Sequence, residues 1–336
     1  MDYISLLQKE MKPAFGCTEP IALAYAAAKA ASVLDEFPNH IHARCSANII
    51  KNVKSVVIPN SGGCKGLAAA TVLGAIVGHP ERELEVLESA TDEDRKWLGT
   101  LLEANFCTVE LAEGVDNLYI EITATTDEHT AVVRIENAHT NITYVSVDGN
   151  VISETINEIK EAESSTCPMT FDSIYEFAKA GDISGILPSI KQQVEYNTAI
   201  SNEGLSNDYG ANIGRLLLLD DENPSLETKC KARAAAGSDA RMSGCPLPVV
   251  ICSGSGNQGL TVSMPIITTA EELGKTDEEL YRALVFANLL TLYVKSGIGK
   301  LSAYCGVVSA GIVSVAGIAF LKGDSKDIIE DTLVNG

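Results

Sequence analysis

The sequence predicts an α+β fold, a large and mostly helical domain with an inserted smaller α+β domain containing an antiparallel sheet. Three observations carry this. Residues 1–40 read as helical, with helix-spaced apolar positions from Tyr3 to Met11 and an alanine-dominated run from Ile21 to Leu34. Residues 42–59 and 106–151 alternate apolar and polar side chains, are rich in β-branched residues and carry turn residues between runs, as half-buried strands do. From Phe171 onward helical spacing returns, broken by glycine-rich stretches at Gly204–Gly214, Gly237–Pro248 and Ser253–Gly259.

Each segment follows from that reading. Leu67–Val77 and Glu81–Leu102 have alanine and leucine spacing for two helices packed on one face of the sheet. Residues 1–40 share the small-residue helical character of the C-terminal half. The expected domains are therefore 1–40 with 165–336, discontinuous and helical, and 41–164 as the insertion. Two sequential domains meeting near Ser164–Met169 are the alternative. A chain of 336 residues is long enough for either arrangement. Leu301–Leu321 is uncharged and has the length of a membrane span. Its glycine, alanine and serine content (Gly306, Ser309, Gly311, Ser314, Gly317) and its lack of a basic flank fit a close-packed central helix instead.

The charge balance narrows the partners. With 25 basic and 45 acidic residues the net charge is -20, which repels nucleic-acid phosphates and anionic membrane surfaces. Met1–Lys12 mixes acids and lysines and lacks the apolar core of a secretory signal, so a cytoplasmic location is expected. The nine cysteines, at 17, 45, 64, 107, 167, 230, 245, 252 and 305, are scattered and form no C-x-x-C pair. Reduced thiols are expected, and a structural zinc site is not. Neither nucleic acid nor a membrane is an expected partner, and the expected assembly is a homodimer.

Chemistry concentrates in five segments. In Pro13–Pro20, Cys17 follows a glycine and precedes Thr18, Glu19 and Pro20, which read as N-cap, first-turn acid and early-helix proline. A thiol at a helix N-terminus gains thiolate character, whereas the structural alternative is a buried thiol packed under the helix start. Ile58–Gly66 leaves a strand and enters a helix, so the amides of Ser61, Gly62 and Gly63 with Lys65 form either an anion site or a plain turn; the spacing is not that of a P-loop. In Gly237–Gly244, Arg241 either clamps a substrate carboxylate or pairs with an acid such as Asp239. Ser253–Gly259, with Ser253, Ser255 and Asn257, reads as an anion cradle or a flexible connection. Lys295–Gly306 places Cys305 at the head of the uncharged helix.

Together, P-A-F-G-C-T-E-P (13–20), S-D-A-R-M-S-G (238–244), S-G-S-G-N-Q-G (253–259) and S-A-Y-C-G (302–306) resemble the L-cysteine desulfidase family, related to the iron-sulfur-dependent L-serine dehydratase alpha chain. The resemblance covers essentially the whole chain. It implies a lyase that eliminates sulfide from cysteine, or water from serine, to give pyruvate and ammonia. It also implies a 4Fe-4S cluster held by three cysteines, with one iron open as a Lewis acid. Cys305 matches the first of those ligands. Cys17 matches the family's G-C-T-E-P cysteine, either the base at the α-carbon or an occupant of the open iron site. Thr18, Glu19, Ser61, Gly62, Gly63, Lys65, Arg241, Ser253, Ser255 and Asn257 are then expected to bind substrate.

The chain departs from the family pattern in one respect. Two further cluster cysteines are expected beyond Gly336, and Cys230, Cys245 and Cys252 do not match their positions. Two other functions compete. A pyridoxal-phosphate lyase would explain S-G-N-Q-G but needs a Schiff-base lysine upstream and a glycine-run phosphate cup that does not follow. A small-molecule binding module without a cluster would explain the incomplete ligand set.

Overall fold

A computed structural model describes residues 2–155, 169–219, 222–298 and 305–335. Cys167, residues 302–304 of the S-A-Y-C-G motif and the expected boundary at 164 lie outside them. The chain divides into two compact units, one of Met1–Pro13, Ala162–Arg241 and Leu247–Gly336, the other of Ala14–Glu161 and Met242–Pro246.

In chain order the regular elements begin with α1 (Tyr3–Glu10), the short strand β1 (Pro13–Phe15), α2 (Thr18–Ser32), β2 (His40–Cys45), α3 (Ala47–Val53), α4 (Gly66–Val77) and α5 (Asp92–Glu103). Five strands follow: β3 (Cys107–Leu111), β4 (Tyr119–Thr125), β5 (Thr130–Glu136), β6 (Ile142–Val147) and β7 (Asn150–Glu154). The remainder is helical except for one short strand: α6 (Phe171–Ala180), α7 (Leu187–Ser206), α8 (Ile213–Leu219), α9 (Leu226–Met242), β8 (Pro248–Val250), α10 (Gly256–Leu273), α11 (Asp277–Ser296), α12 (Gly306–Lys322) and α13 (Lys326–Asn335). The class is α+β, as the sequence predicts.

The sheet unit is built on six strands in the order β3-β2-β4-β5-β6-β7. It is mixed rather than purely antiparallel, because β2 pairs with β3 in parallel, Ile41 opposite Cys107. A parallel pair needs a crossover, and α3, α4 and α5 supply it. The expected strand 42–59 accordingly ends at Cys45. Ser46, whose hydroxyl donates to Asn117 O at 2.7 Å, closes it, and the buried Ile49 and Val53 then fall on one face of α3. The expected helix 81–102 is likewise interrupted: Thr91 starts α5 with a capping box to Asp94.

Residues 14–40 were expected with the helical domain, but they belong to the sheet unit. The reason is packing. Ile21, Leu23, Ala24 and Ala26–Ala28 are fully buried, and α2 lies against α4, β4 and β5. Gly74 lets α4 approach so closely that a Cβ there would stand 2.2 Å from Ala24 O.

In the helical unit α12 packs between α10 and α11, where a Cβ at Gly317 would lie 2.4 Å from Ile266 Cδ1 and 3.1 Å from Ala287 Cβ. This is the close-packed role read from its composition. No helix among the described residues is long and apolar enough to cross a membrane. Two of the expected breaks start a few residues later than read, after Ser206 and after Met242. Gly204 lies inside α7 and Gly237 inside α9, each placed where another backbone or side chain comes close: a Cβ would meet Ala236 O at 2.1 Å and Leu260 Cδ2 at 2.9 Å. The glycines serve helix contact rather than chain reversal.

Candidate functional site

In the sheet unit, Gly16 adopts φ +70°, a left-handed turn between β1 and α2 that glycine takes without strain. Cys17 is the N-cap of α2 and Thr18 its first residue, so the helix starts one position earlier than expected. Cys17 is 6% exposed, and its thiol donates to Glu19 Oε2 at 3.1 Å. Thr18 Oγ1 donates to the same oxygen at 3.2 Å. Asn52, from α3, donates its amide to Glu19 Oε1 at 3.2 Å. One carboxylate thus gathers a thiol, a hydroxyl and an amide at the positive end of a helix. Sequence reasoning named Cys17, Thr18 and Glu19 but missed Asn52, which lies 33 residues from Glu19 and carries no motif.

The loop 58–66 lies against this turn, since a Cβ at Gly16 would stand 2.0 Å from Pro59 Cγ. Its polar groups serve mainly its own closure. Ile58 N–H donates to Cys64 O at 2.9 Å, and the buried Ser61 hydroxyl donates to Ile58 O at 2.7 Å. Asn60, Gly62, Gly63 and Gly66 all have positive φ, while Gly62, Gly63 and Lys65 are exposed.

In the helical unit, Cys252–Ser255 form a tight turn in which Cys252 and Ser255 exchange backbone hydrogen bonds at 3.2 Å. Ser253 and Gly254 have φ +51° and +77°, positive at both central positions as a type I′ turn requires. Ser255 caps α10 by accepting from Gln258 N–H, so Asn257, Gln258 and Gly259 lie in the first turn of a helix rather than in a loop. Arg241 is 2% exposed and donates to Asn257 Oδ1 at 2.9 Å. The guanidinium reaches Asn257 across Gly256, where a Cβ would be 2.3 Å from Arg241 Nε.

Cys305 is the exposed N-cap of α12. Lys295, 4% exposed at the end of α11, sits near enough to feel it: burial pushes the ammonium below the ordinary lysine pKa, and the Cys305 thiolate works against that. Neither Lys295 nor Gln258 was singled out from the sequence. Among the described residues no three His, Cys, Asp or Glu side chains converge as a metal-binding group. Cys305 is the described thiol that matches the family's cluster donors.

The fold and these two clusters define a class: an α+β protein with a thiol held by a helix-start carboxylate in one unit and a buried guanidinium–amide pair in the other. The chain belongs to the serine dehydratase alpha chain family, whose family model matches residues 81–336. It is 46% identical to a UPF0597 protein of Finegoldia magna and 44% identical to one of Lachnoclostridium phytofermentans, in both cases over 99% of this chain and 80% of the relative. A UPF0597 protein of Desulfitobacterium hafniense is 45% identical over 99% of this chain and 78% of its own length. These names state no activity.

Proposed function

We propose that the chain is a lyase of the serine dehydratase type that performs α,β-elimination on a small L-amino acid, cysteine or serine. The observation that supports this best is the hydrogen bond from the Cys17 thiol to Glu19. A base at the α-carbon must accept a proton from a weak carbon acid and pass it on, and a thiol already bonded to a carboxylate has that second acceptor in place. In this reading Cys17 Sγ takes the α-proton as its own proton moves to Glu19. The α-carbon electron pair then forms the Cα–Cβ double bond, and the β-substituent leaves with its bonding pair as sulfide or hydroxide. Glu19 returns its proton to the leaving group, so the charge balances. The aminoacrylate released hydrolyses in water to pyruvate and ammonia.

Arg241, Asn257, Ser253 and Ser255 are the proposed carboxylate ligands, because a buried guanidinium beside a helix start suits an anion. A 4Fe-4S cluster remains part of the family expectation, with Cys305 as its matching donor. The experiment is an assay of pyruvate and sulfide from L-cysteine, and of pyruvate from L-serine, after anaerobic incubation with iron and sulfide. Turnover that Cys17→Ala reduces at least about 100-fold is expected. No pyruvate from either amino acid overturns the reading. Binding of an amino acid without turnover would favour the second reading, a small-molecule binding module.

A further inference from the structure

In the helical unit, α9, α10 and α12 enclose a cavity of about 630 Å³. Its walls are stripes of side chains, one per helix: Cys230 and Ala234 on α9, Thr261 and Pro265 on α10, Gly311 and Val315 on α12. Each stripe repeats every four residues and so keeps to one helix face, which makes the cavity a trough along the helix axes. α12 runs beside α10 in the same direction, since a Cβ at Gly311 would stand 3.9 Å from Thr261 Cγ2 and one at Gly317 2.4 Å from Ile266 Cδ1. α9 runs the other way: Gly237 packs on Leu260, and Lys229 donates to Glu272 at 2.7 Å. The small residues Ala234 and Gly311 therefore line one end of the trough, and Lys322, the last residue of α12, lines the other, about 16 Å away along that helix. Three polar groups on the walls are turned to backbone carbonyls. Thr269 donates to Pro265 O at 2.8 Å, Ser314 to Gly311 O at 2.7 Å, and the Cys230 thiol to Pro265 O at 3.4 Å. Val315 remains 53% exposed on the wall, apolar surface that a ligand would remove from water. Lys231 and Glu227 pair with each other on α9 and cancel, whereas Lys322 makes no ion pair among the described residues. The result is an apolar trough that ends on one cation.

We propose that this trough binds an aliphatic monocarboxylate of medium chain length, with its chain along the Gly311–Ile318 stripe and its carboxylate on Lys322 Nζ. An unbranched chain follows a stripe of small and apolar side chains, and one uncancelled cation calls for one negative charge. The net charge of -20 repels anionic lipid surfaces, which favours the free acid over a chain still held in a membrane. The site shares no residue with the Cys17, Arg241 or Cys305 clusters, so it stands whether or not the proposed elimination does.

The probes are hexanoate, octanoate, decanoate and decanol, titrated calorimetrically into the full chain. Affinity is expected to rise about fourfold per added methylene, the factor that burying a methylene supplies. Decanol, which lacks the charge, should bind at least about threefold more weakly than decanoate. Lys322→Met should bring decanoate down to the level of decanol and leave decanol unchanged. Gly311→Leu fills the small-residue end of the trough. Its Cβ meets Thr261 at ordinary contact distance and leucine is the better helix former, so the variant should unfold no earlier than the native chain while binding decanoate at least about tenfold more weakly. Val315→Glu, at a half-exposed position, sets a like charge beside the ligand and should weaken decanoate more than decanol. Affinity independent of chain length overturns the assignment, as does an equal loss of decanoate and decanol in Lys322→Met. Decanoate bound by Gly311→Leu or Val315→Glu within twofold of the native chain does the same, and so does a native chain that binds none of the probes. A native dimer that either variant splits in sedimentation also overturns it, because a second copy of the chain then fills the trough.

Discussion

The Cys17 thiol and the Glu19 carboxylate share a hydrogen bond of 3.1 Å at the first turn of α2, and Asn52 holds the far oxygen of that carboxylate at 3.2 Å. Two roles for Glu19 are separable on this geometry. If it receives the proton of Cys17, Glu19→Gln lowers kcat by about 100-fold and leaves KM within a factor of a few. If it binds substrate, KM rises instead. We expect the first outcome, checked by steady-state pyruvate formation, with Asn52→Ala showing a smaller fall in kcat of the same kind.

Gly16 is the backbone hinge of that arrangement. Its φ of +70° costs a non-glycine residue about 1–2 kcal/mol, and a methyl group would also meet Pro59 Cγ at 2.0 Å. Gly16→Ala is therefore expected to lower stability by at least about 2 kcal/mol in denaturant unfolding. It should also reduce turnover more than tenfold at temperatures where the variant is still folded, because Cys17 follows the displaced turn directly. Unchanged turnover in the folded variant would detach Cys17 from the chemistry.

What the sequence makes legible is what is local. The Cys17 turn can be read because glycine, thiol, acid and proline are adjacent and the helix start follows. The end of β2 at Cys45 cannot, since Ile49, Ile50 and Val53 suit either period and only the partners of Ser46 decide. Gly204 and Gly237 mislead for a related reason: glycine in isolation signals a break, and the close approach that places it inside a helix is tertiary. Asn52 and Lys295 carry no motif. They meet Glu19 and Cys305 only once the chain has folded.

The cysteines differ sharply in environment, which predicts an order of labelling. Burial pushes the Cys45 thiol up to about 12 and does the same for Cys107. Cys252, fully buried, is pushed up further still. Cys305 is exposed. At pH 8 iodoacetamide should label Cys305 in the folded chain at least about 100-fold faster than Cys45, Cys107 or Cys252, and the buried Cys45 and Cys252 should react only on unfolding. Peptide mapping by mass spectrometry reads this directly. Equal rates at the four positions would contradict the packing of β2, β3 and the Cys252 turn.

The sheet carries its own pH dependence at Glu121, 8% exposed on β4. Burial raises its carboxyl, but hydrogen bonds from Arg134, Tyr119 and Arg44 outweigh that and leave it below the ordinary 4.5. Arg134 donates at 2.8 Å and Arg44 at 2.9 Å, tying β5 and β2 to the strand between them. A depressed carboxyl favours the folded state above the unfolded pKa, and that contribution disappears as pH falls through the folded value. The Glu121 contribution to stability should therefore be flat above about pH 5.5 and decline below about 4.5. Glu121→Gln keeps the shape but removes the charge, so it should cost about 2 kcal/mol at pH 7, discounted because both arginines are partly exposed. The difference from the native chain should shrink as the pH is lowered toward 3. Urea unfolding at pH 7, 5, 4 and 3 measures it, and a difference independent of pH would mean that shape rather than charge holds these strands together.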